Sequence, residues 1–126
     1  LNPNPRWLRA QTLIAIHEEQ LAQHGGRPGI RSLKSLDAVV RVPERADARV
    51  EETAARYAIV LVRRRPFRDA NKRVALIALE TYFEFHQRRL NVLNYDLVRK
   101  VSELANRSHD DRAFIDWLGE HAYRLG

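Results

Sequence analysis

Arg63-Arg64-Arg65-Pro66-Phe67-Arg68-Asp69-Ala70-Asn71-Lys72-Arg73 runs without a break into the apolar stretch Val74-Ala75-Leu76-Ile77-Ala78-Leu79. Six of the first eleven residues are cations and one is a carboxylate, gathered where a buried helix is expected to begin. Lys72 and Arg73 fall in the first turn of that helix, where the macrodipole is positive and basic residues cost stability. A bound anion reverses the sign, because free N–H groups flanked by a Lys and an Arg make a cradle for phosphate. Asp69, a hard oxygen ligand, is placed to hold a divalent cation against such phosphates. Phe67, apolar amid charge, is expected to plug into the core and pin the loop. A solvated basic turn is the plain alternative, since charge runs usually only face water.

The residue order favours the cradle. Pro66-Phe67-Arg68-Asp69-Ala70-Asn71-Lys72-Arg73 resembles the signature of the Fic/Doc superfamily, His-x-Phe-x-Asp/Glu-Ala/Gly-Asn-Lys/Gly-Arg, with six of seven specified positions matched and the spacing intact. Upstream, His17-Glu18-Glu19-Gln20-Leu21 and His24-Gly25-Gly26 through Pro28-Gly29-Ile30-Arg31 read like the N-terminal half of the Doc (death-on-curing) branch, so the resemblance spans about Trp7 to Trp117. Fic adenylyltransferases carry a glycine where Lys72 stands and a second arginine where Leu76 stands. Lys72 instead resembles the Doc branch, whose members are kinases that move a phosphoryl group from ATP to a threonine of elongation factor Tu.

The resemblance implies ATP and Mg2+ as cofactors and assigns the site residue by residue. Asp69 is implied as the metal ligand, Lys72 and Arg73 as the groups that neutralise the transferring phosphoryl, and Asn71 as a holder of the loop or the phosphate. Arg63 resembles a phosphate-contacting arginine of the Doc branch. Phosphoryl transfer needs mainly positioning and charge neutralisation, which such a set supplies. The family's general-base histidine is replaced by Arg65. Arginine stays protonated and offers no acceptor lone pair, so this chain is expected to be catalytically impaired, by on the order of 10²–10⁴-fold for the lost base alone. An escape or engineered substitution in an active toxin and a naturally degenerate copy both account for Arg65.

The rest of the composition sets bounds. At 126 residues the chain is read as one domain, 1–126. Without cysteine it has no disulfide framework and no thiolate metal site, which fits a cytoplasmic location. No apolar run approaches the roughly 20 residues of a membrane span, and no signal-peptide pattern opens the chain. The lack of any Met, initiator included, leads to the expectation that the chain begins after processing or truncation. A net charge of +6 invites a nucleic-acid reading, but the cations concentrate at Arg63–Arg73 rather than forming a stripe interleaved with aromatics. The sign suits a nucleotide or an acidic antitoxin equally.

Periodicity predicts an all-α, compact single-domain bundle of about six helices around a central buried helix at about 70–87. The first helix runs from about Arg9 to Gln23, stopped by Gly25-Gly26. Ser32 or Ser35 caps a short helix closed by Pro43, and residues 43–50 read as a loop. A helix over Glu51–Arg63 leads into the motif, Asn94 caps a helix over Tyr95–Asn106, and Ser108-His109-Asp110-Asp111 turns into a last helix carrying Phe114, Ile115, Trp117 and Leu118. No strand is signalled beyond a short extended piece at Leu90–Leu93. His17, beside Glu18, reads as a hydrogen-bonded structural residue. The glycine loop over Gly25–Ile30 carries too little pattern to assign to phosphate.

Three functions follow. The first is a Doc-type toxin acting on a translation factor that resembles elongation factor Tu, restrained by a Phd-like, acidic or partly disordered antitoxin. The second is a protein adenylyltransferase, disfavoured by Lys72 and Leu76. The third is a non-catalytic module that binds antitoxin or nucleic acid, with direct nucleic-acid binding not expected without the antitoxin.

Overall fold

A computed structural model describes residues 6–45, 49–106 and 110–126. Seven helices and a two-stranded ribbon occupy these residues: α1 (Ala10–His24), α2 (Leu33–Val40), α3 (Val42–Arg45), α4 (Val50–Arg64), α5 (Asn71–Phe85), β1 (Arg88–Leu90), α6 (Asn94–Glu103), α7 (Asp111–His121) and β2 (Ala122–Arg124). The expected helical bundle is thus observed, with one extra helical turn, α3. Pro43 does not stop the chain there, because a proline in a first helical turn removes an N–H that has no intrahelical partner. Of the stretch expected as loop, residues 46–48 lie outside the described residues, and Val50 already begins α4.

The expected central helix is α5, and it shares the centre with α4. Nine residues of α4 and seven of α5 are buried, and Ala54, Ala55, Ala58, Ala75 and Ala78 are fully enclosed. Such small side chains let two helix axes approach closely. The Tyr57 hydroxyl on α4 accepts the Leu8 N–H at 3.1 Å, which anchors the N-terminal segment, and burial pushes that phenol's pKa well up. Around the pair, α1 contributes Leu13, α2 Leu36 and Val39, α6 Leu97 and Val101, and α7 Phe114, Ile115 and Leu118.

Local signals hold where a cap decides. Ser32 Oγ accepts the Ser35 N–H at 3.1 Å, and Asp110 Oδ1 accepts the Arg112 N–H at 2.9 Å. Three boundaries differ from expectation. Asn94 is the first residue of α6 rather than its cap, since Leu93 takes the extended cap conformation, and the helix ends at Glu103 rather than Asn106. The central helix ends at Phe85 because the chain reverses through Gln87 at φ 57°. Arg88 and Arg89 then lie in β1, where Arg88 meets Glu51 at 3.1 Å. β1 pairs antiparallel with β2, Arg89 opposite Tyr123, a partner too distant in sequence to be seen from either strand. Among the described residues no helix is long and apolar enough to cross a membrane.

Candidate active site

The motif loop is bracketed by two left-handed residues, Arg65 (φ 48°), which ends α4, and Ala70 (φ 65°), which precedes α5. Each such non-glycine residue costs of order 1–3 kcal/mol and persists only when its surroundings over-determine it. Here they do. Asn71 grips the loop with both ends of its amide: Oδ1 accepts the Phe67 N–H at 3.0 Å and Nδ2 donates to the Phe67 carbonyl at 2.9 Å. Phe67 is 1% exposed, and His17 stacks on its ring at 4.1 Å and 8°.

A second layer of bonds comes from the glycine loop. The N–H groups of Arg31 and Ser32 donate to the Pro66 carbonyl at 2.7 and 3.1 Å, and Arg68 N–H donates to the Gly29 carbonyl at 3.1 Å. The Arg31 guanidinium caps the carbonyl end of α4, reaching the Arg65 oxygen at 2.6 Å and the Arg64 oxygen at 2.5 Å. The stretch from Gly25 to Ser32 thus serves as the wall against which the motif is zipped. Gly26 shows why glycine is needed: its φ is 129°, and a Cβ there would fall 2.8 Å from Leu21 Cδ2 and 3.1 Å from Asp69 Oδ2.

That close approach organises Asp69. Its Oδ2 accepts the Arg27 N–H at 3.1 Å and its Oδ1 the Ala70 N–H at 2.9 Å. The Arg27 N–H first, then the Ala70 N–H and the charges of Arg27 and Arg73, hold the carboxyl below its usual pKa, so it is ionised at neutral pH.

Asp69, Ala70, Asn71, Lys72 and Arg73 line one cleft of about 550 Å3 together with Arg65, walled by Val62 and Ala105. The first intrahelical bond of α5 runs from Val74 N–H to the Ala70 carbonyl, and no side chain caps the helix. The N–H groups of Asn71, Lys72 and Arg73 therefore have no intrahelical acceptor, which gives the cleft its positive end. Arg73 donates to the Gln20 carbonyl at 3.4 Å and the Gly25 carbonyl at 3.2 Å, bridging the C-terminus of α1 to the start of α5. Lys72 is exposed and makes no side-chain hydrogen bond or ion pair among the described residues.

The structure brings together Arg65, Asp69, Asn71, Lys72 and Arg73 and places Arg63 outside their cleft. Asn71 lines the cleft, and its amide oxygen and one of its two amide N–H groups are engaged on Phe67, which is the loop-holding role. Arg63 is not among the cleft residues. Its guanidinium is ion-paired with Asp111, and its Nε donates to the Leu104 carbonyl at 3.0 Å, tying α4 to the α6–α7 corner where Ala105 forms a cleft wall. The helical register carries Arg63 two residues back from Arg65 and so onto another side of α4.

No described histidine lines the cleft. His17 is 3% exposed, with Nε2 3.2 Å from the Asp69 carbonyl oxygen, which agrees with a hydrogen-bonded structural residue. His86 caps the opposite end of α5, His121 Nδ1 lies 2.8 Å from the Trp117 oxygen, and His109 is outside the described residues. Nor do the described residues gather three or more His, Cys, Asp or Glu that could hold a metal ion. Among the described residues Asp69 is the one carboxylate of the cleft, a donor set that suits a cation shared with ligand phosphates rather than an all-protein cage.

Sequence reasoning missed Arg27, Arg31 and Gly26 as organisers of the site. They lie in the stretch that resembles the Doc branch, but their contacts join segments more than thirty residues apart. A family model described as the Fic/DOC family matches residues 7–83, which takes in the glycine loop and the motif and stops short of Trp117. The chain is also 33% identical over 79 residues to the protein kinase doc of Escherichia phage P1, a likeness covering 56% of this chain and 60% of that relative. It thus spans less than two thirds of that relative's length. With the motif geometry and these likenesses in agreement, the chain belongs to the Fic/DOC family.

Proposed function

We propose that this chain is a Doc-type toxin domain that binds ATP with Mg2+ at the mouth of α5, and that its ancestral reaction is phosphoryl transfer to a protein hydroxyl. The observation that carries the reading is the shared cleft: an ionised Asp69 beside two basic side chains and an uncapped helix start. Asp69 would hold Mg2+ on the lone pairs its two N–H partners leave available, and the cation would supply further neutralisation of the phosphate charge. Lys72 and Arg73, with the N–H groups of α5, neutralise the phosphate oxygens, and Asn71 keeps the loop between them in shape.

Arg65 stands where a base must take the acceptor's proton. A guanidinium has no lone pair for it, so the chain binds its nucleotide without efficient transfer. Lys72 and the partly buried, core-packed Leu76 argue against adenylyl transfer, since neither offers the glycine nest or the second arginine of that chemistry. The acceptor in this reading is a translation factor resembling elongation factor Tu, and the natural restraint is an acidic antitoxin attracted by the net charge of +6.

Titrating ATP with magnesium against the chain, Asp69→Ala and Lys72→Ala tests the site. Both variants should weaken binding; affinity indifferent to both removes the proposal. In an Arg65→His variant, mass spectrometry of the modified target should find a phosphoryl group, and an adenylyl group instead would shift the chain to the other branch.

A further inference from the structure

The cleft holds one cation more than the proposed reaction uses, and that cation is well placed. Arg65 has a backbone fixed in the left-handed region at φ 48° and ψ 65°, and the Arg31 guanidinium secures its carbonyl and that of Arg64. Its own side chain is exposed at the cleft and makes no hydrogen bond or ion pair among the described residues. Three cations, Arg65, Lys72 and Arg73, therefore line the cleft with Asp69, its one carboxylate among the described residues. That carboxylate already accepts one N–H on each oxygen, from Arg27 and from Ala70, so any divalent cation must share it.

A guanidinium offers a planar fork of donors that matches phosphate oxygens and keeps its charge at any working pH. It can therefore take over the charge neutralisation that a bridging metal otherwise supplies. We propose that Arg65 is itself a phosphate ligand, so that the cleft takes up polyphosphate groups without needing a divalent cation and holds them without turnover. The replacement of a base by a fork converts a transfer site into a retention site. This rests on the reading of the cleft as a phosphate site and adds which residue replaces the metal there.

Calorimetric titration separates the two ideas. ATP and inorganic tripolyphosphate are each titrated, in EDTA and in magnesium chloride, into the chain, Arg65→Asn, Arg65→His and Lys72→Ala. Asn and His are chosen because both tolerate left-handed backbone, and thermal melts confirm folding. The intact chain should still bind both ligands in EDTA, with magnesium adding only a further tightening through Asp69. Losing one charge-assisted phosphate contact should weaken binding of both Arg65 variants in EDTA by about tenfold, with a smaller loss when magnesium is present. If EDTA abolishes binding by the intact chain while magnesium restores it in a Lys72-dependent way, the phosphate site stands and the role of Arg65 falls. Equal affinity of the chain and both Arg65 variants in EDTA overturns it as well. No binding under either condition removes the phosphate site and this proposal together.

Discussion

Replacing Asn71 with alanine tests whether that residue holds the loop or the ligand. The variant deletes both bonds to Phe67, at 3.0 and 2.9 Å, and leaves the N–H and carbonyl of a residue only 1% exposed without those partners. A buried polar group stripped of its partner costs about 1–3 kcal/mol, so two such groups, relaxing partly towards water, give a loss of about 2–4 kcal/mol. Urea denaturation followed by circular dichroism reads this as a lower midpoint with an unchanged slope. Lys72→Ala provides the opposite pattern. Its exposed side chain supports no other residue, so stability should stay within about 0.5 kcal/mol while ATP affinity falls. The reasoning is refuted if Asn71→Ala melts like the parent and instead loses nucleotide affinity as Lys72→Ala does.

Gly26→Ala should destabilise by about 1–3 kcal/mol, because φ 129° is poorly open to alanine and the new Cβ meets Leu21 and Asp69. The same change should raise the Asp69 pKa by displacing the Arg27 N–H that contributes most to its depression; carboxyl titration by NMR showing no upward movement would count against the glycine-loop account. Acidification should destabilise the fold through His17, whose pKa burial holds below 6.5. A folded pKa below the unfolded one means that the unfolded chain takes up the proton first, so stability is full above about pH 6.5 and declines as pH falls from there towards the folded value. Urea midpoints at about pH 7.5 and about pH 5.5 should differ in that direction, and less so in His17→Gln; an equal difference in both proteins would dismiss the histidine as the cause.

The position of Arg65 bears on how such a change is accommodated. Its backbone geometry is set by Arg31, by the end of α4 and by the pinned loop, none of which depends on the side chain at 65. A base can therefore be exchanged for a cation without dismantling the cleft.

The sequence by itself determined the features whose bonds close within a few residues. Ser32 reaches three residues on, so its cap was legible from local sequence, while the motif was legible through its resemblance to the Fic/Doc signature, whose Asn71–Phe67 clamp closes within four residues. The apolar runs of α4 and α5 likewise marked the interior. Tertiary structure alone decided which cation does what. Arg31, Arg63 and Arg65 carry the same charge in the sequence; in the fold the first caps α4, the second is committed to Asp111 and Leu104, and the third faces the cleft. The reason is physical: a guanidinium's role is set by the carbonyl or carboxylate it meets, and those partners arrive from segments that only packing brings near.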